Sequence, residues 1–263
     1  MSRTAGPAQA VVAPIVLGLI VVLVWQGAVT AFDIKPFVLP APFTIGAQFT
    51  GNLQSVLAGM TVTGGNALVG LLLGAVVGVL LAIMAALMRV FDGMAAPIVS
   101  AIAVVPIVAL APVLYTMFGA GAETARQLVA ALAVFVPVYF NTLRGLRQVR
   151  PVHRDLMRAY SASRWQSTRT LTLPTALPFV FTGLRIASSL AVISALIAEY
   201  FGGPVGGLGK SITSAAASSN YGLAWAYVLG SIILGLVFYG AARGLERLVL
   251  RRTAEVSLIS FLP

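Results

Sequence analysis

Long uncharged intervals alternate along the chain with short polar or basic breaks, and the intervals are of membrane-crossing length. A helix needs about 20 mostly apolar residues to span a bilayer. Six stretches meet or approach that length: 4–32 (with its apolar heart at 11–25), 61–88, 93–122, 123–143, 179–198 and 221–242. The segment 36–52 is also uncharged, but its prolines (Pro36, Pro40, Pro42) and its Gln, Thr and Asn residues argue against a clean span. The third stretch contains Pro97, Pro106 and Pro112, which predict a kinked or locally unwound helix. Such breaks persist in membranes where neighbouring helices or a cavity satisfy the freed backbone groups. Arg3 ahead of the first stretch leaves a secretory signal peptide as the rival reading of that segment, although the run is long for one. The pattern predicts an all-α membrane protein of about six transmembrane helices, with residues 1–263 as one membrane domain.

Composition narrows the classes further. Hydrophobic residues make up 59% of the 263 and charged residues only 9%, against roughly 25% charged in a soluble domain. A water-facing surface cannot be assembled from that inventory. There is no cysteine and only one histidine, His153, so a disulfide framework, a thiolate site and a histidine metal site all fall away, and no cofactor is expected. The net charge of +10 could be the footprint of a nucleic-acid binder. Position argues otherwise, because almost every arginine sits just beyond an apolar stretch, where it faces membrane lipid head groups. With the N-terminus inside, fourteen of the 17 basic residues fall on the inner side and only Lys35, Arg126 and Lys210 on the outer. Positive charge marks the cytoplasmic side, so both termini are expected in the cytoplasm and the glycine-rich connection 202–209 outside.

The basic connection between the fourth and fifth stretches, about 147–177, is the most informative segment. Val152, Leu156 and Tyr160 recur at i, i+4 and i+8 while Arg154, Arg158 and Ser161 point elsewhere, which predicts a short amphipathic helix. Pro151 suits its first turn and Ser161 or Ser163 its end. Such a helix either lies on the inner leaflet or docks on a cytoplasmic partner.

This connection resembles the coupling motif of permease subunits of ATP-binding-cassette (ABC) importers: Glu-Ala-Ala, three residues, Gly, nine residues, Ile-x-Leu-Pro. Leu173 and Pro174 match its end, and Leu171 stands where Ile is usual. Asp155 takes the acidic position, Leu156 and Met157 replace the alanines, and Ser161 replaces the glycine. The segments 162–166 and 173–185, Leu39 to Pro42, Phe118-Gly119, Ala198-Glu199 and Gly207 to Gly209 are similar to the branch importing sulfonates, taurine, nitrate and thiamine or riboflavin precursors. The resemblance covers about residues 15–250. It implies the type I importer permease fold in a bacterial inner membrane, a small polar solute as cargo, cytoplasmic ATPase subunits, a second permease subunit of the same or a related kind, and an extracytoplasmic solute-binding protein. It also implies that Asp155, Leu156, Tyr160, Ser161, Leu173 and Pro174 couple the permease to the ATPase. ATP hydrolysis would then belong to the partner, and no Gly-x-x-x-x-Gly-Lys-Ser/Thr loop occurs in this chain. Lys210-Ser211 follows Gly209, but Gly203 is one residue too far away to complete that motif.

Polar residues inside or beside the spans are the candidates for a translocation pathway: Asn66, Tyr115, Ser188, Ser189, Ser194 and Glu199. Hydroxylated and amide side chains also hold membrane helices together, and Glu199 at the outer end of its span could simply be solvated. Gly70, Gly74 and Gly78 form a small-residue stripe suited to close helix packing, and Trp25, Trp225 and Tyr227 suit interfacial belts. A secondary transporter is the alternative function, but no ionisable residue falls near mid-span to couple an ion. A membrane-embedded enzyme would need nucleophiles, metal ligands or acid–base pairs that seven scattered acids and one histidine do not supply. The orientation is directly testable in this cysteine-free chain: an impermeant thiol reagent on intact cells should label a cysteine placed at Val205 and spare one at Ser2. The opposite labelling would overturn the topology.

Overall fold

The computed structural model describes residues 7–119, 121–203 and 206–259. Ser2, Arg3, Ala120, Pro204 and Val205 lie outside the described residues. Eleven α-helices follow one another among those described: α1 (Pro7–Ala31), α2 (Pro42–Gly51), α3 (Leu53–Leu87), α4 (Arg89–Val104), α5 (Ile107–Phe118), α6 (Thr124–Arg147), α7 (Pro151–Ala159), α8 (Arg164–Ser167), α9 (Leu173–Phe201), α10 (Leu208–Ala217) and α11 (Tyr221–Ile259). A π turn, Thr168–Thr172, joins α8 to α9.

Five of these helical segments are long and apolar enough to cross a membrane, and a sixth crossing arises if α4 and α5 count as one broken span. The break is the local unwinding expected within 93–122. α4 ends before Pro106 and the axis turns by 103°, because proline offers no N–H to the turn behind it and its ring blocks the preceding carbonyl. The second span starts earlier than residue 61. Its helix α3 runs 35 residues from Leu53, about 52 Å at the α-helical rise, so one end projects beyond the hydrocarbon. The proline-rich segment before it is also partly helical: Pro42 opens α2, where a missing N–H is harmless. Thr50 at its end returns its hydroxyl to the carbonyls of Gly46 and Ala47. The basic connection 147–177 is largely helix rather than loop, so the fifth span begins at Leu173 instead of about 179.

α6 is the axis of the bundle. One core joins α3, α6, α9, α10 and α11 through small and β-branched residues, among them Ala67, Ala130, Val134, Val138, Ala187 and Ala191. A second joins α3, α4 and α6 around Ala82, Val99 and Tyr139, and a third joins α5, α6 and α9 around Ala111, Tyr115 and Ala198. Tyr227, expected in an interfacial belt, belongs to the first core. Trp25 and Trp225 instead meet edge to face with ring centres 5.8 Å apart, fastening the otherwise exposed α1 to α11. The Gly70, Gly74 and Gly78 stripe seats α3 on α6: a β-carbon at Gly78 would lie 3.1 Å from the Phe135 carbonyl oxygen, and one at Gly74 would strike the Ala131 carbonyl. Gly145 and Gly183 do the same between α6 and α9, against Phe179 and Ala176 and against Pro137 and Asn141.

Gly74→Ala should therefore destabilise the purified chain by about 1–3 kcal/mol, since the added methyl meets backbone that cannot rotate away. Gly65→Ala on the same helix, where a β-carbon meets nothing within 4 Å, should be neutral or slightly stabilising. Thermal unfolding of the two variants in one detergent measures the difference.

Candidate coupling surface and the buried end of the bundle

Two features at opposite ends of α9 carry the functional reading. At the first, α7 starts at Pro151 and has no buried residue. Val152, Leu156 and Tyr160 are 73%, 53% and 77% exposed, so the apolar stripe read from the spacing is present and uncovered. Asp155 lies 3.3 Å from Arg158 one turn on, with both side chains in the open. The helix ends at Ala159, earlier than Ser161 or Ser163, for a defined reason. Ser161 adopts φ +52° and donates its N–H to the Arg158 carbonyl, while Ala162 donates to Met157. That pair of bonds is the Schellman terminator, whose left-handed position is usually glycine. It supplies the physical meaning of the glycine in the resembled motif, and Ser161 occupies that position at a cost of roughly 1–2 kcal/mol.

Ser163 then restarts the helix with a capping box: its hydroxyl accepts from the Gln166 N–H at 3.2 Å, and its own N–H donates to the Gln166 side chain at 2.7 Å. From Arg164 the chain stays helical to Phe201. The π turn falls just before Leu173 and Pro174, where Leu173 N–H bonds to the Thr168 carbonyl. Pro174 sits in the first turn of α9, where it removes one donor from the ladder and the wider turn absorbs the mismatch. Leu173 is 42% exposed and Pro174 partly buried.

At the far end of α9, Glu199 is fully buried rather than solvated. Its carboxylate accepts from the Thr63 hydroxyl of α3 at 2.8 Å and from the Gly209 N–H at 2.9 Å, and Thr63 accepts from the Leu208 N–H at 2.9 Å. Leu208 and Gly209 open α10, whose N-cap, Gly207, has no side chain to offer. The exposed donors of a helix start need acceptors; here α3 and α9 supply them across the fold, and the carboxylate also suits the positive end of the helix dipole. Arg126, in the first turn of α6 and fully buried, balances the charge with Nη1 3.6 Å from Oε1 of Glu199. Tyr115 donates to the Ala198 carbonyl at 3.1 Å. The glycines of the connection are needed for contact: a β-carbon at Gly207 would strike the Glu199 carboxylate, and one at Gly203 (φ +95°) would sit 2.7 Å from the Tyr115 hydroxyl.

Three of the six pathway candidates thus meet in one region. Glu199 and Tyr115 share this cluster, and Asn66, one turn along α3 from Thr63, accepts from Gln127 at 3.1 Å. Ser188 is buried and bonds back to the Arg185 carbonyl, while Ser189 and Ser194 are partly exposed farther along α9. Thr63 and Arg126 escaped the sequence reading, which had counted Arg126 among the outer charges. A signal was available: Arg126 and Glu199 are opposite charges at matching depths of spans that run antiparallel. Both sit within a turn of a helix end, so they form no mid-membrane ion site.

The family profile described as binding-protein-dependent transport system inner membrane component matches residues 74–251. The chain belongs to that family. It is a permease subunit of an ABC importer of small solutes. The riboflavin transport system permease RibX of Chloroflexus aurantiacus is 34% identical over 92% of this chain and 90% of its own length. The formylaminopyrimidine transport permease ThiX of Halalkalibacterium halodurans is 27% identical over 90% of this chain and 94% of its own. A crystal structure of an amino acid ABC transporter with histidines superposes with a TM-score of 0.62 at 16% identity, covering 77% of the permease and 96% of that chain. That likeness shows the shared permease fold.

Removing one member of the buried pair should cost the permease far more than removing both. Arg126→Met leaves an uncompensated buried carboxylate, worth about 3–5 kcal/mol, whereas replacement of both partners can approach neutrality. Thermal unfolding of Arg126→Met, Glu199→Gln and the double variant should give a double-mutant coupling energy well above experimental error. Additive losses would show that the pair is not coupled.

Proposed function

We propose that α7 is the docking element through which cytoplasmic ATPase subunits drive this permease. The observation carrying the reading is the uncovered stripe of Val152, Leu156 and Tyr160 on a helix with fixed ends. A helix resting on lipid needs no rigid link to a span, but this one leads through a capped turn into a continuous helix ending at Phe201. Asp155 and Ser161 set the start of the acidic turn and the stop of the docking helix, and Leu173 and Pro174 shape the return into α9. In the assembly the subunit would pair with a second permease chain, receive solute from an extracytoplasmic binding protein, and lie in a bacterial inner membrane with both termini in the cytoplasm. The charge asymmetry of the sequence supports that orientation. It would place the Glu199 cluster at the outer face.

The cargo is a small polar solute; the related permeases are named for riboflavin and formylaminopyrimidine among others. Glu199, Tyr115 and Asn66 act on the pathway by tying its outer end together. Ser194, partly exposed on α9, is left to face a solute. Residues 1–263 function as one permease domain.

Burying one large side chain contributes about 1.5–3 kcal/mol, so Leu156→Asp should weaken ATPase docking about tenfold to a hundredfold. Reconstituted with its ATPase and binding protein, that variant should lose solute-stimulated ATP hydrolysis while the permease remains folded. Arg154→Gln, at the rim, should change association rate more than affinity. Coupled hydrolysis surviving Leu156→Asp would reduce α7 to an interfacial helix.

A further inference from the structure

The seam between α9 and α11 is apolar along its middle and basic at one end. Ser189 and Ile193 of α9 and Ile232, Gly235, Leu236 and Tyr239 of α11 line an open groove of about 500 Å³. Its walls are bare, with Ile193, Ile232 and Leu236 at 50%, 54% and 66% exposure. One helical turn farther along both helices lies a second pocket of about 450 Å³, lined by Arg185, Arg243, Glu246, Arg247, Leu250 and Arg251. Arg185 precedes Ser189 by four residues and Arg243 follows Tyr239 by four, so groove and pocket are consecutive stretches of one seam.

Charge decides what fits the pocket. Glu246 takes up Arg185 at 3.1 Å. Arg243, Arg247 and Arg251 then remain on a single stripe of α11, and among the described residues none of the three is in an ion pair. From Arg243 to Arg251 the stripe covers two turns, about 11–12 Å, which is longer than one phosphate. Mutual repulsion along it is relieved by an anion carrying more than one charge. Basic pockets between membrane helices recognise phospholipid head groups in this way, and the adjoining groove offers acyl chains an apolar bed that a soluble anion would not use.

We infer that the α9–α11 seam is a binding site for an anionic phospholipid with two phosphodiester groups, of the cardiolipin class. The head group lies among Arg243, Arg247 and Arg251, and an acyl chain lies along Ile193, Ile232 and Leu236. The site requires only that the chain spans a membrane, and so stands apart from the role given to α7.

Native mass spectrometry of the full chain in mild detergent tests this, with tetraoleoyl cardiolipin, dioleoyl phosphatidylcholine and inorganic pyrophosphate as probes. Cardiolipin should be retained over phosphatidylcholine by about tenfold or more, and Arg243→Gln with Arg247→Gln should erase that preference, while Arg247→Lys keeps it. Gly235→Trp, where the side chain enters open space, should displace cardiolipin and leave pyrophosphate binding as it was. Monodisperse elution of each variant certifies folding. Equal retention of the two lipids would overturn the proposal. Cardiolipin retention unmoved by Gly235→Trp would reduce the site to one for a soluble phosphate. An Ile193→Cys variant that forms a copy-to-copy disulfide in membranes would show a second copy, and not lipid, in the groove.

Discussion

Lipid tails are as apolar as leucine, so burying side chains between helices gains a membrane protein little over leaving them in the bilayer. Close approach of backbones, with the dispersion contacts that it allows, must hold the bundle instead. Gly70, Gly74 and Gly78 meet that need by removing every β-carbon that would separate α3 from α6, and Gly145 and Gly183 do the same between α6 and α9. The central position of α6 follows from these contacts. So does the alignment that brings Arg126 to Glu199 at one end of the bundle and Arg147 to Asp92 at 2.7 Å at the other.

Polar groups in this setting are held where several elements can satisfy them together. The start of α10 shows the logic. Its own N-cap is a glycine, so Thr63 and Glu199 accept from Leu208 and Gly209, and the carboxylate that does so is balanced by Arg126. With Tyr115 of α5, five helices therefore share one polar cluster. The cost of burying the carboxylate is offset by the hydrogen bonds it accepts from Thr63 and Gly209 and by the Arg126 charge beside it.

Continuity of helix joins that cluster to the opposite end. Arg164 to Phe201 is one helical run with a single π turn, so under the docking role proposed for α7 a displacement there would reach Glu199 through helix rather than through a loop. α11 runs beside it, and the lipid proposed between them would lie against that continuous helix. The joint has a local chemical origin: a Schellman stop at Ser161 and a capping box at Ser163 fix the turn between α7 and α8, and a π turn ahead of Pro174 carries the helix on into α9.

The pattern of charges and apolar intervals determined by itself that this is a helical membrane protein, where most spans lie and where the amphipathic helix α7 begins, because an uncharged run of about 20 residues satisfies its backbone within the bilayer as a helix and an amphipathic stripe has a fixed period. The break at Pro106 was legible as a proline cluster, though not the sharp turn that it makes. Ser161 was legible as the occupant of a glycine position, though not as the left-handed residue that explains it. The opposite signs of Arg126 and Glu199 at matching depths of neighbouring spans hinted at a pair, but their full burial was decided only when α6 and α9 were laid side by side. Thr63 carries no signal at all until its hydroxyl is seen between Leu208 and Glu199. Tyr227 entered the core instead of an interfacial belt for the same reason: only the tertiary packing decides whether an aromatic near a span end faces water or another helix.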